Sequence, residues 1–233
     1  MRERIERLAD WYVKEQLNFD RVLISYRYQT IREYFKKGIG LEMGSGDGVM
    51  TAFLKDDFEE LDVVEGSMKL LETIPNYPNV RKHCSLFEHF EPSRQYDTII
   101  MEHILEHLEK PVEVLARTRL WLKPGGVVII GVPNAKSFHR LAAVKMGLLE
   151  SEYQLNERDK ALGHYRVYDW DSIKKDVESA GYKVRHIGGI FFKPLSNKQI
   201  EETWTPEMIE GFYQLGKDFQ ENAAEIFVVA TLT

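Results

Sequence analysis

Residues 37–48 read KGIGLEMGSGDG, from Lys37 to Gly48. The apolar positions Ile39, Leu41 and Met43 alternate as in a short strand, and the chain then opens into Gly44, Gly46 and Gly48. A helix is expected to begin near Val49 and to turn Met50, Ala52, Phe53 and Leu54 toward a sheet. Glycine allows a sharp turn and a close approach of backbone to ligand, so strand, glycine turn and helix together make a nucleotide-type site. The pattern is not the dinucleotide G-x-G-x-x-G. Its glycines fall at every second position, and Glu42 precedes the first of them by two.

Working outward, Leu61–Val64 predicts a second strand ending in Glu65-Gly66-Ser67. Glu65 lies 19 residues beyond Gly46, close to the roughly 20 expected of an acidic residue that accepts from a ribose diol. Asn79–His83 reads as a third strand, followed by Cys84-Ser85-Leu86-Phe87-Glu88, and Tyr96–Met101 as a fourth, which delivers Glu102-His103-Ile104-Leu105-Glu106-His107-Leu108. Ligands of open parallel sheets sit at the carboxyl ends of strands, so these side chains should face reacting groups. Pro111–Leu122 predicts helix, Lys123–Gly126 a turn, and Val127–Val132 a fifth strand apolar on both faces. Asp169–Ala180 predicts a helix stopped by Gly181, with strands at Lys183–Phe191 and Glu225–Leu232.

The segment Leu41–Gly48 resembles the first motif of class I S-adenosylmethionine (SAM)-dependent methyltransferases, E/D-x-G-x-G-x-G. YDTIIMEHILEHLEKP after the fourth strand resembles the corresponding motif of the ubiquinone-type O-methyltransferases and the type 11–12 group, and LKPGGVVIIGVPN and GHYRVYDWDSIKKDVESAGY are similar to later passages of that family. The resemblance spans residues 38–190. It implies an α/β, Rossmann-like, seven-stranded, mostly parallel sheet with helices on both faces and an antiparallel final strand pair. It also implies SAM as cofactor. By resemblance, Glu42, Gly44, Ser45, Gly46 and Gly48 cradle the methionine part and ribose, and Glu65, Gly66 and Ser67 serve the ribose hydroxyls. Ser85, Leu86 and Phe87 flank the adenine, and Met101, Glu102 and His103 complete the cofactor-binding residues at the reacting end. Ser85 departs from the acid that many members carry there.

Residues 1–37 carry apolar positions at three- and four-residue steps, among them Ile5, Leu8, Trp11, Tyr12, Phe19, Leu23 and Tyr26. They are expected to form a helical cap that packs on the methyltransferase domain of 38–233 or places Tyr26 or Arg27 at the SAM carboxylate. Residues 134–170 exceed a crossover helix and read as a lid over the acceptor, and 192–224 as a further helical insertion whose Trp204, Phe212 and Tyr213 stripe packs as core. Because the sulfonium methyl is already electrophilic, an acceptor hydroxyl needs in-line placement and a proton acceptor. His103, His139, His164 and Tyr165 are the candidate catalytic residues, with His164 either facing the methyl group or capping the loop. Arg140, Arg166 and Tyr168 are the candidate acceptor-binding residues. An oxygen acceptor on a small metabolite, sugar or peptide is favoured, with N-methylation or a non-catalytic SAM-binding module as alternatives.

His103-x-x-Glu106-His107 also matches the inverted zinc-protease pattern H-x-x-E-H. With no later partner motif, a structural histidine is the plainer reading and no metal is expected. The single cysteine, Cys84, provides neither an internal disulfide nor a cysteine zinc site. A net charge of −6 without a basic run argues against nucleic acid. With no long apolar segment and no apolar leader, a cytoplasmic protein off the membrane is expected, monomeric or homodimeric, and 233 residues suit one α/β core better than a two-domain dehydrogenase.

Overall fold

Along the central strands, successive side chains enter two different apolar layers, as a sheet covered on both faces requires. Leu41, Met43, Ile99, Met101, Val128, Ile130, Ile226 and Val228 join one layer. Leu61, Val63, Ile100, Ile129, Phe227 and Val229 join the other. The computed structural model describes Glu6 and residues 18–233. The sequence expectations for Ile5, Leu8, Trp11 and Tyr12 fall outside the described residues.

The strands are β1 (Ile39–Met43), β2 (Glu60–Glu65), β3 (Val80–Cys84), β4 (Tyr96–Glu102), β5 (Leu122–Pro133), β6 (Tyr182–Ile190) and β7 (Glu225–Leu232), in the spatial order β3-β2-β1-β4-β5-β7-β6. The first five are parallel, while β7 runs antiparallel between β5 and β6. This is the expected Rossmann-like sheet, with the antiparallel pair at one edge. The helices are α1 (Asn18–Ile31), α2 (Val49–Leu54), α3 (Met68–Thr73), α4 (Pro111–Trp121), α5 (Phe138–Lys145), α6 (Glu157–Ala161), α7 (Trp170–Ser179), α8 (Asn197–Thr203) and α9 (Pro206–Gly216). Helices α4 and α7 bury Val114, Leu115, Ile173 and Val177 in the first layer. The second layer takes Leu23 of α1, Leu54 of α2, Leu71 of α3, Ile200 of α8 and Tyr213 of α9.

Two consequences of this topology position the site. Strand order reverses between β1 and β4, which opens a crevice at their carboxyl ends. Because β7 is antiparallel, its first residue, Glu225, lies opposite Pro133 at the end of β5 and so reaches the same edge. One local expectation is corrected: Lys123–Gly126 is not a separate turn before the fifth strand but an irregularity inside β5. The register to β4 shifts between Tyr96 and Thr98, and Gly125 takes a φ of +80°. The offset lets the strand begin directly at the end of α4.

A buried polar knot ties β2 to β4. Asp62, 3% exposed, accepts from Arg94 Nε at 3.0 Å and Nη2 at 2.5 Å and from Tyr96 Oη at 2.7 Å. Burial opposes its ionisation, but His83 at 3.7 Å and the hydrogen bonds from Arg94 and Tyr96 hold its carboxyl well below the usual range. Its stabilising contribution is therefore complete above the ordinary carboxylate value of 3.8 and is lost as pH falls below it. Asp62→Asn should lower unfolding free energy by about 2–3 kcal/mol near neutral pH, with a smaller deficit in acid. Urea denaturation of both proteins at neutral and acidic pH measures this, and equal stabilities at neutral pH would contradict it.

Candidate functional site

The glycine turn leaves β1 with Gly44 at φ +76° and Gly46 at φ +51°. A Cβ on Gly44 would stand 2.1 Å from Ile104 Cδ1, whereas one on Gly46 would meet nothing within 4 Å. Gly44 thus serves close packing, and Gly46 presents bare backbone to open space. Gly44 N donates to Val64 O at 2.8 Å, tying the turn to β2. Beneath it Glu42 is buried and accepts from Thr51 Oγ1 at 2.6 Å. Burial, reinforced by the charge of Glu65 against the Thr51 hydrogen bond, pushes its carboxyl up to about 8. Glu65, at the end of β2, is 7% exposed and accepts from Ser67 N at 2.9 Å. Burial raises its carboxyl, opposed by the backbone N–H groups of Ser67, Gly66, Gly46 and Ser45.

These residues form one end of a cavity of about 440 Å³ that is roofed by Leu23, Ile24 and Arg27 of α1. Ser85, Leu86 and Phe87 line the same end, beyond β3. At the other end, β4 delivers Glu102, His103 and then a 3₁₀ turn, Leu105–His107. His103 takes a φ of +55°, and its N–H donates to Gly131 O at 2.8 Å, so the backbone bends sharply here and turns the imidazole into the cavity. Its Nε2 stands 3.2 Å from Glu225 Oε1 and its Nδ1 3.4 Å from Glu106 Oε1. Burial, with the nearby charge of Arg27, lowers the His103 pKa from its ordinary 6.5 and keeps the ring neutral.

Below His103 lies a charge cluster that the sequence reading missed. Arg27 donates from Nε to Glu225 Oε2 at 2.8 Å and from Nη2 to Glu225 Oε1 at 2.6 Å, and its Nε lies 3.4 Å from Glu102 Oε2. Despite burial, Arg27 and His103 hold the Glu225 carboxyl far below the usual range. Burial pushes Glu102 up to about 7 and Glu106 up to about 8. Arg27 lines the cavity, as the sequence allowed, but its guanidinium is committed to Glu225. Tyr26 is directed elsewhere: it donates to Glu210 at 3.0 Å and stacks on Tyr213.

The segment expected to act as a lid lines the far side. Arg140, 5% exposed, contacts Asp159 Oδ2 at 3.0 Å and donates to the carbonyls of Glu152, at 2.9 Å, and Gln154. Asp159 also closes a capping box with Asn156 at the start of α6. His164 Nδ1 lies 3.3 Å from Asp159 Oδ1, and the His164 ring meets His107 edge-on at 4.6 Å between centroids. Tyr165 N donates to Glu106 O at 2.8 Å, joining the lid to the turn after β4. Across the cavity mouth, Arg158 donates to Asp20 Oδ2 at 2.6 Å, and Asn197, which accepts from Lys193 at 2.7 Å, donates to Asp20 Oδ1. Lys193 is pushed down to about 8 by burial, and His139 down to about 2 by burial next to Lys193 and Arg140.

Of the residues singled out from sequence, Glu42, Gly44, Ser45, Gly46, Glu65, Gly66, Ser85, Leu86, Phe87, Glu102, His103, His139, Arg140, His164 and Tyr165 line this one cavity. Five stand outside its lining. Gly48 caps α2 at φ +85°, Ser67 caps α3 by accepting from Leu70 N, and Met101 is buried in the core. Arg166 donates to the carbonyls of Leu105, Leu108 and Glu109, and Tyr168 donates to Asp176 at 2.9 Å. For these two, chemistry suited to an acceptor holds the loop instead. Arg140, though it lines the cavity, spends its donors on the lid. The H-x-x-E-H residues do not share one helix either. His103 precedes the 3₁₀ turn in a left-handed conformation, and the side chain that gathers with Glu106 and His107 is His164. Glu225, Lys193 and Asp20 were missed. The available signal for Glu225 was a carboxylate directly before the apolar run Ile226–Ala230.

A family model described as a methyltransferase domain matches residues 16–187 of the chain. The chain belongs to the class I SAM-dependent methyltransferase family. SAM is accordingly its cofactor. Among curated relatives, the chain is similar to malonyl-[acyl-carrier protein] O-methyltransferase of Halalkalibacterium halodurans, 28% identical over 136 residues, 52% of this chain and 50% of that protein. It is also similar to ubiquinone biosynthesis O-methyltransferase of Dinoroseobacter shibae, 25% identical over 167 residues, 68% of this chain and 65% of that protein. The chain thus spans between half and two thirds of the length of these two relatives. The fold is shared with a SAM-dependent methyltransferase from Thermotoga maritima, TM-score 0.66 at 16% identity over 99% of this chain and 100% of that one. It is shared too with the N-methyltransferase NodS of Bradyrhizobium japonicum, TM-score 0.57 at 11% identity over 93% and 88%. Among the described residues of this methyltransferase-family chain, no helix is long and apolar enough to cross a membrane.

Removing one partner from a buried ion pair strands the other in a medium that solvates it poorly. Arg27→Met keeps the length of the side chain and removes the cation from Glu225, so it should cost about 3–5 kcal/mol of stability. Arg27→Lys should recover part of that loss without the two-pronged geometry. Thermal and urea unfolding of the two variants measure this, and an Arg27→Met protein as stable as the parent would refute the assignment.

Proposed function

We propose that the protein transfers the methyl group of SAM to an oxygen atom of a small-molecule acceptor, a hydroxyl by preference. The observation that carries this reading is the continuity of one cavity, from the glycine turn and Glu65 to the neutral His103 with its Glu225 partner. The O-methyltransferases among the curated relatives support it. Glu65 would hold the ribose hydroxyls, the backbone at Gly44–Gly46 the methionine part and Ser85–Phe87 the adenine, which would leave the methyl group for the His103 end of the cavity. A cytoplasmic reaction fits the acidic composition and single cysteine.

SAM would supply an electrophilic methyl group: bonding of the acceptor oxygen to that carbon would be matched by cleavage of the S–C bond, whose electron pair would remain on sulfur in S-adenosylhomocysteine. The acceptor proton passes to His103 Nδ1. Glu225, kept ionised by Arg27, accepts from Nε2–H, fixes that tautomer and stabilises the imidazolium that forms. A neutral imidazole is required at the start. Because the His103 pKa is lowered, the rate should hold as pH falls to 6.5 and decline only below it.

Glu65→Ala should weaken SAM binding by about tenfold or more, since a buried acceptor of the ribose diol is lost. Calorimetric titration checks this, and unchanged affinity removes Glu65 from that role. His103→Ala should slow single-turnover methyl transfer by about 10²–10⁴-fold while SAM affinity stays within about twofold. The assay uses methyl-labelled SAM and an acceptor panel of alcohols, phenols, carboxylic acids and amines. Transfer to amines alone would overturn the oxygen assignment, and a wild-type rate in His103→Ala would overturn the base.

A further inference from the structure

Five lysine and arginine side chains line the cavity, and four of them are already matched. Arg21 stands 2.6 Å from Asp47, Arg27 2.6 Å from Glu225, Arg140 3.0 Å from Asp159 and Arg158 2.6 Å from Asp20. Lys193 is the exception. Its ammonium donates to the neutral amide oxygen of Asn197 at 2.7 Å, and no carboxylate of the described residues forms an ion pair with it. Asp20, whose charge reaches Lys193 from farther off, is held by Arg158 and by the amide nitrogen of Asn197. At this end of the cavity, Asp159 offsets Arg140 and Asp20 offsets Arg158, so one positive charge is left over.

The fold holds that ammonium in place. Just past β6, Phe191 takes a φ of +65°, which a bulky residue rarely adopts. Hydrogen bonds pin the bend: Ala224 N donates to Phe191 O at 2.7 Å, and Phe192 N to Phe212 O at 3.0 Å. Lys193 follows directly, and its partner Asn197, 6% exposed, opens α8. His139, beside Lys193, is kept neutral by burial, and its Nδ1 has no hydrogen-bond partner among the described residues. It offers a polar contact without changing the charge. Burial lowers Lys193 to about 8, which leaves the ammonium the main form at neutral pH. A partly buried cation with no counter-ion is unfavourable for the fold, as expected of a group kept for a ligand. The charge of Glu225 also acts on Lys193, which puts the ammonium on the side of the His103–Glu225 pair.

We propose that Lys193 binds a carboxylate of the methyl acceptor, so that the substrate is a small hydroxy acid with its carboxylate on Lys193 and its hydroxyl at His103. The anion contact stands on the cavity alone, and the place of the hydroxyl rests on the methyltransferase reading. One unmatched positive charge suits a monoanion better than a phosphate monoester, whose charge at neutral pH is about −1.5 to −2. Held at both ends, the acceptor presents its oxygen in one orientation, which is how an anchor away from the reacting atoms contributes to rate. The amide of the same acid leaves the ammonium unmet and is disfavoured.

Binding and transfer test this separately. The complex with S-adenosylhomocysteine is titrated calorimetrically with the hydroxybenzoate isomers, mandelate and lactate, each beside its amide, and with inorganic phosphate. At least one acid should bind about tenfold or more tightly than its amide, the scale of a charge-assisted hydrogen bond. Lys193→Met should reduce that preference to about twofold or less with SAM affinity unchanged, and Lys193→Arg should keep part of it. Lys193→Gln replaces the Met variant should that fail to fold, and the exposed Lys174→Met should match the parent. Lys193→Met should melt at or above the parent, because the fold gives the ammonium no counter-ion. With methyl-labelled SAM, the acid-to-amide ratio of kcat/KM should fall about tenfold or more in Lys193→Met. A lower melting temperature with acid and amide affected alike would make Lys193 structural and overturn the proposal. So would a parent that prefers no acid over its amide, a folded Lys193→Met or Lys193→Gln that keeps the parent's preference, or phosphate binding tighter than every acid. Lys193-dependent acid binding without methyl transfer upholds the anion contact and overturns the placement of the hydroxyl. A parent that binds acids but not SAM defeats the methyltransferase reading and leaves the anion contact standing.

Discussion

The buried pair between Arg27 and Glu225 joins the first fully described helix to the last strand, and the reacting end of the cavity is built on top of it. An ionised carboxylate in the interior is stable only with a matched, hydrogen-bonded cation, and the two-pronged guanidinium contact supplies that match. With its charge held, Glu225 meets His103 Nε2. His103, bent into a left-handed conformation and tied to Gly131, lines the cavity beside it. Loss of the pair would move α1, β7 and the imidazole together, so roof, edge strand and candidate base form one mechanical unit.

The sheet explains why these groups converge. Parallel strands finish at one edge, and the order reversal between β1 and β4 parts the chain there. Glu65, the turn after β4 and Asn134 after β5 all reach that edge from strand ends. Glu225 reaches it from a strand beginning, because β7 is reversed. Gly131 shows how closely the parts fit: a Cβ there would stand 1.9 Å from Glu102 Oε2, so the carboxylate occupies the room that a side chain on β5 would take.

Electrostatically the cavity is divided. At the glycine-turn end, Glu42 and Glu65 are buried carboxyls met by a hydroxyl and by backbone N–H groups. At the other end, Glu102, Glu106 and Glu225 crowd one guanidinium and an imidazole. The cation-rich lid residues, Arg140 and Arg158, are turned to Asp159 and Asp20, where they fasten the cover. Arg140 and Arg166, the arginines expected to bind an acceptor, hold the loops instead. The acidic, histidine-bearing end gathers His103, Glu102, Glu106 and Glu225.

Sequence alone determined the parts that depend on local pattern. Alternating apolar residues marked the strands, the glycine spacing and Glu42 marked the turn, and the second apolar run placed Glu65 at the end of β2 beside it, because strand period and backbone sterics act over a few residues. The motif after β4 placed Glu102 and His103 correctly at the strand end for the same reason. Only the tertiary structure decided which distant groups meet. Arg27 pairs with a residue 198 positions away, His164 comes in from a distant loop to lie with Glu106 and His107, and Arg166 and Tyr168 are spent on loop carbonyls and Asp176. A buried charge takes whichever partner the packing of the whole chain brings within hydrogen-bond reach, and that choice is not written in the residues beside it.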